Sequence, residues 1–195
     1  MQCFYVNDRK IFLDQSFSVN DLLVFLNLNM SLLVRSRQKT HLIDSWMVRR
    51  LAKWALEVTE PGEKNELIEH ELGVFIIGPE EMAHLNYTSL KHKGATDVIT
   101  LDYGDPGPIP KSGPILGDLF ICAAVAQENS IDFGTTCSHE LARYLIHGIL
   151  HLRGYDDKKI AARKIMIRKE NLLMNEALKL FHLSCLVKEP KTDGE

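Results

Sequence analysis

Cysteine is sparse: Cys3, Cys122, Cys137 and Cys185 are scattered over 195 residues without a CxxC pair. That excludes a cysteine-based zinc module and a disulfide framework, and it fits a chain kept reduced in a cytoplasm. Long apolar runs are absent too. The longest, Val19 to Val34, is broken by Asn20, Asp21, Asn27, Asn29 and Ser31, too polar and too short to span a bilayer. The opening MQCFYVNDRK lacks the charged region and apolar stretch of a secretory signal, so a cytoplasmic location is expected. Nor is there a strong charge of either sign: 23 Lys and Arg stand against 26 Asp and Glu, for a formal net charge of -3. A nucleic-acid partner would therefore have to be held by a local basic surface rather than by the field of the whole molecule. Repeats are absent, and the only biased tract is the polar tail over 187–195.

What remains is an ordinary globular composition, 45% hydrophobic and 25% charged, expected to form one packed domain over 1–195. Val19 to Val34 reads as a helix followed by a basic break, RSRQK, from Arg35 to Lys39, and the role of residues 1–40 stays open. Asp44 is a natural N-cap for a helix to about Val58, with Met47, Leu51, Trp54, Ala55 and Val58 at helical spacing and Pro61-Gly62 ending it. ELGVFIIG, from Glu71 to Gly78, reads as a buried strand, and Glu80 to Leu90 as a short helix. Val98 to Tyr103 is a second strand and ILGDLFICAAVA a third, joined by a loop dense in glycine and proline, which favours antiparallel pairing of the two. Thr135, Thr136 and Ser138 offer caps for a helix from about Ser138 to Arg153, and a last amphipathic helix is expected from about Lys158 to Leu180. Irregular alternation of helices and strands points to α+β, a small mixed sheet packed with helices.

The chemistry lies in HGILHLRGYDD, His147 to Asp157. Two histidines four apart share one helix face, with Cβ atoms about 5–6 Å apart, so both imidazoles reach one ion. They lie off the apolar stripe of Leu141, Leu145, Gly148, Ile149 and Leu152, on a helix that should be buried almost all round, where imidazoles need polar partners. Gly154 permits a sharp turn that brings Asp157 back as third ligand, with Asp156 the alternative. The resulting HxxxHxxGxxD keeps metzincin ligand spacing, and two histidines with one carboxylate leave one position of a tetrahedral ion open. One divalent ion per chain is expected, zinc first. A metzincin protease would carry a glutamate after the first histidine; Gly148 stands there, which disfavours a protease. Glu140 lies on the histidine side two turns earlier, either as a partner for the histidines or as a first-turn acid facing the helix dipole.

HGILHLRGYDD closely resembles the HGxLHLxGYDH signature of the YbeY family of bacterial rRNA maturation endoribonucleases. ATDVIT resembles that family's pTDVLSF, LGDLFICAAVAQEN its GDI-type strand, HLNYTSL its LNxxyR, and MIRKE its MxxxE, together covering about Leu72 to Glu170. The resemblance implies a zinc-dependent, single-strand-specific endoribonuclease acting in 16S rRNA 3′ end maturation and ribosome quality control. It implies rRNA and the small ribosomal subunit as partners. Two positions depart from the pattern: Asp157 replaces the family's third histidine, and Leu90 replaces its arginine. Lys91 and Lys93, next to Leu90, are the candidate phosphate contacts, and a solvated basic loop is the alternative reading of them. Thr96, Asp97 and Asp118 match family positions as well, and a strand-start cap and a turn carboxylate account for them. A catalytically weak, zinc-containing ribosome assembly factor is the competing function, and a metalloprotease-like hydrolase the third.

Overall fold

The computed structural model describes residues 2–6, 9–13, 31–61 and 68–188. A hairpin of β1 (Gln2–Val6) and β2 (Arg9–Leu13) opens it, and the sheet proper begins with β3 (Ser31–Ser36). The chain continues through β4 (Leu42–Ile43), α1 (Ser45–Thr59), β5 (Glu71–Ile77), α2 (Pro79–Leu90), β6 (Val98–Asp102) and β7 (Leu116–Cys122). It ends with α3 (Ala123–Phe133), α4 (Cys137–Leu152), α5 (Ile160–Leu180), a 3-10 turn at Leu183–Cys185 and β8 (Val187–Lys188), which pairs with β4.

The main sheet has the order β3-β5-β7-β6, with β3, β5 and β7 parallel and β6 antiparallel to β7. This is the expected α+β architecture with a small mixed sheet, and the antiparallel pairing across the Gly/Pro loop is present. β5 is central because Leu72 to Ile77 is apolar without interruption, as a strand covered on both faces must be. On one face lie α1 and α4, packed through Leu51, Leu56, Leu119, Leu145 and Ile149, and α5 packs against α4 through Met166, Leu173 and Met174. A smaller cluster of Phe75, Ile77, Met82, Ile99 and Cys122 joins α2 to the other face. Among the described residues no helix is long and apolar enough to cross a membrane.

α4 lies close against the sheet because two glycines allow it. A Cβ on Gly148 would come within 2.7 Å of Leu119 Cδ2, and one on Gly117 within 2.6 Å of both Leu152 Cδ2 and the Leu101 carbonyl oxygen. At the far end of α4, Arg153 is wholly buried and pins three segments together. Its guanidinium donates to the Leu56 carbonyl at 3.0 Å and the Gly113 carbonyl at 3.0 Å, and it pairs with Glu60 at 2.8 Å. The turn that follows is thereby anchored to α1 and to the loop between β6 and β7.

Four expectations change. Of the helix over Val19 to Val34, residues 19–30 lie outside the described residues, and Ser31 to Val34 are extended, part of β3. Arg35 and Ser36 complete that strand rather than breaking the chain, because Arg35 and Ser36 pair with Phe75 and Ile76. In ILGDLFICAAVA the strand stops at Cys122 and AAVA opens α3. Its antiparallel partner begins at Val98, opposite Ile121, so the ladder there runs out just as alanines of high helix propensity follow. Of the polar tail, Val187 and Lys188 form β8, and 189–195 lie outside the described residues.

Candidate metal centre

Thr136 caps α4 by accepting from the His139 amide at 3.1 Å, one residue earlier than a start at Ser138. Sixteen residues of helix then carry His147 and His151 on one face. Their rings meet edge to face, centroids 4.7 Å apart, with Nε2 to Nε2 at 3.0 Å. Two imidazoles on one tetrahedral zinc, at about 2.0–2.1 Å each, have nitrogens about 3.3 Å apart. The pair is thus already spaced as ligands of a single ion.

Asp157 completes the group: one ligand atom from each of His147, His151 and Asp157 lies within 4.8 Å of the others. Gly154 makes this possible. Its φ of +88° is left-handed, a conformation open to glycine and strained for other residues, and it reverses the chain directly after α4. Asp156 is spent otherwise, its carboxylate accepting from the Lys158 amide at 3.3 Å ahead of α5. Asp157, not Asp156, joins the histidines.

Each imidazole is held from behind. His147 Nδ1 lies 2.8 Å from Glu170 Oε2, and His151 Nδ1 lies 3.0 Å from the Tyr155 carbonyl. Both partners accept, so both Nδ1 atoms carry the proton and both Nε2 lone pairs face the shared point. Burial lowers the pKa of His151, and the neighbouring His147 lowers it further, keeping it neutral and able to ligate. Burial alone would raise the Glu170 carboxyl, but hydrogen bonds from His147 and Arg143 prevail and hold it below its usual range.

Glu170 is the residue that the reading of α4 missed. It sits among Met166, Leu173, Met174 and Ala177 on the buried stripe of α5, and a glutamate in an apolar stripe needs a polar partner. That break in the pattern, in MIRKE, was the available signal. Glu140 does not serve here: it is buried, accepts from Thr135 Oγ1 at 2.6 Å and pairs with His139 at 3.2 Å, a network closing the first turn of α4.

Gly148 faces the sheet, not the metal point, and the 2.7 Å approach of Leu119 leaves no space for a glutamate. Lys91 and Lys93 sit at the end of α2 and in the loop after it, both exposed. Lys91 adopts a left-handed C-cap, and its Nζ donates to the Thr88 carbonyl at 3.1 Å. Neither lysine bonds to the His147, His151 and Asp157 group. Leu90 is 50% exposed on the same helix. Thr96 and Asp97 form the strand-start turn expected of them, with Asp97 accepting from the Val98 amide at 2.8 Å. Asp118 is not a turn carboxylate: it lies within β7 and accepts from Tyr103 Oη at 2.9 Å.

Comparison with known proteins gives the family. A family model described as Endoribonuclease YbeY matches residues 33–178. Proteins named Endoribonuclease YbeY are similar: that of Flavobacterium johnsoniae is 33% identical over 130 residues, 67% of this chain and 84% of the relative. That of Staphylococcus aureus is 34% identical over 139 residues, 68% of this chain and 86% of the relative. The solution structure of a protein from Thermotoga maritima has the same fold, with a TM-score of 0.52 at 23% identity over 84% of this chain and 99% of that one. With three quarters of its length inside the family match and the HxxxHxxGxxD group assembled at the end of α4, the chain belongs to the YbeY endoribonuclease family.

Proposed function

We propose that this protein is a metal-dependent endoribonuclease that cuts single-stranded RNA in the cytoplasm. Its substrate is rRNA on the small ribosomal subunit, and its roles are 16S rRNA 3′ end maturation and ribosome quality control. The observation that carries the reading is the convergence of His147 Nε2 and His151 Nε2, 3.0 Å apart, with each Nδ1 already engaged. Two nitrogens and one carboxylate oxygen are a donor set that suits zinc, so His147, His151 and Asp157 would hold one such ion. When bound, the ion supplies Lewis-acid polarisation of a phosphate oxygen.

The chain's own residues do the rest. Glu170 and the Tyr155 carbonyl fix the direction of the imidazoles, and Asp157 adds a negative charge that a histidine would not. Lys91 and Lys93 serve as phosphate contacts at the end of α2, each as a point charge rather than a bidentate fork. A catalytically weak assembly factor is the second reading, favoured by the exposed Leu90, which offers no phosphate clamp.

Cleavage of a single-stranded RNA by zinc-loaded protein tests the reading, with His151→Ala and a chelated sample alongside. Cutting that disappears in both controls is expected. Folded protein that binds one zinc and cuts nothing would leave the assembly-factor reading.

A further inference from the structure

Between Lys158 and Lys169 the sequence carries Lys158, Lys159, Arg163, Lys164, Arg168 and Lys169 and no acidic residue, in a chain whose formal charge is -3. None of the six pairs with a described carboxylate, and all but Lys169 are exposed. Helix stability does not explain them. They crowd the N-terminal half of α5, whose first turn holds no acidic residue, so several cations sit at the positive end of the helix dipole. Self-repulsion and the dipole both work against this arrangement, and an anion would relieve both.

Lys164, Arg168, Asn171 and Asn175 recur at helical spacing and form one stripe, and with Ile167 and Leu172 they line a shallow groove. Asn171 joins the stripe to the back of His147. Asn171 Oδ1 accepts from Arg143 at 3.0 Å, Arg143 also pairs with Glu170, and Glu170 holds His147 at 2.8 Å. Lys164 and Arg168 are one turn apart, a rise of about 6 Å, close to the spacing of successive phosphates on an extended single strand. Exposed Ile167 and Leu172, 45% and 55% accessible, offer apolar surface beside that line of charge.

We infer that this face of α5 is a track for the backbone of a single-stranded RNA, with Lys164 and Arg168 contacting successive phosphates. The inference rests on the ribonuclease reading above. It adds a second basic surface to Lys91 and Lys93, on another element, with Asn171 linked through Arg143 and Glu170 to His147.

Binding of a fluorescent uridine oligonucleotide to chelator-treated full-length protein, measured by anisotropy across a salt series, tests it without cleavage. Lys164→Ala/Arg168→Ala should bind at least about 10-fold more weakly and lose about 1.4 from the slope of log affinity against log salt, about 0.7 per phosphate contact. Lys179→Ala, on the last turn of the same helix, removes one positive charge away from the stripe and should bind as the parent does. A double variant with the parent's affinity and slope overturns the track while leaving the ribonuclease reading in place. A parent that does not bind the oligonucleotide when metal-free and does not cut it when zinc-loaded overturns both.

Discussion

His147 and His151 point their Nε2 atoms at each other across 3.0 Å while each Nδ1 is taken by an acceptor on a different part of the chain. Two neutral imidazoles so arranged face lone pair to lone pair, an electrostatic conflict that a cation between them removes. The geometry is enforced from outside the helix, by Glu170 on α5 and by the Tyr155 carbonyl in the Gly154 turn.

Glu170→Gln removes the charge behind His147 but keeps its size. Metal affinity should fall about 10- to 100-fold, as for other partners that orient a metal-binding histidine. Competition with a chromophoric chelator measures this, and unchanged far-UV circular dichroism would show the fold intact. Equal affinity in the variant and the parent would mean that Glu170 serves packing and Arg143 alone.

His70 supplies a pH dependence of its own. Its ring is buried, its Nδ1 accepts from the Ile115 amide at 3.0 Å, and burial together with the nearby Arg153 pushes its pKa down to about 4. The unfolded chain takes up this proton near pH 6.5 and the folded one only near 4, so stability is lost as pH falls through that window. Between pH 7 and 5 the metal-free protein should lose about 2 kcal/mol from this group. Urea unfolding at the two pH values reads it, and His70→Asn, which keeps an acceptor for Ile115, should flatten the dependence.

Arg153 shows how far the site depends on its supports. The wholly buried guanidinium faces Glu60, so Arg153→Ala leaves that carboxylate without its partner and should cost about 3–5 kcal/mol. Arg153→Met with Glu60→Gln removes both charges and should recover part of the loss. Thermal unfolding of the single and double variants separates the outcomes, and a single variant as stable as the parent would contradict the role.

The grouping of His147, His151 and Asp157 was legible because its signal is local: HxxxH fixes a helix face, Gly154 a turn, and Asp157 falls where that turn returns. The antiparallel pairing of β6 and β7 was legible for the same reason, from two strands across one loop. Glu170 was not, since its contact with His147 spans two helices and the pattern of α5 records only that a charge interrupts an apolar stripe. The start of β3 was hidden because Leu32, Leu33 and Val34 suit a helix or a buried strand equally, and only pairing with β5 decides. The end of β7 at Cys122 depends likewise on where its partner stops.

Asp156 and Asp157 are adjacent, chemically identical and differently employed, which makes them a controlled pair. Asp157 lies with the histidines, whereas Asp156 accepts from the Lys158 amide. Asp157→Ala should therefore sharply weaken binding of zinc, leaving two imidazoles to hold it, while Asp156→Ala should bind as the parent does and lose only some helix stability. Asp157→His tests the identity of the donor rather than its presence. It should restore tight binding, and by removing one negative charge from the site it should make the bound ion a stronger Lewis acid. Isothermal titration of metal-free protein gives stoichiometry and affinity for all three variants. If Asp156→Ala proved the weaker binder, the Gly154 turn would have to present the other carboxylate, and the order of ligands argued from it would be wrong.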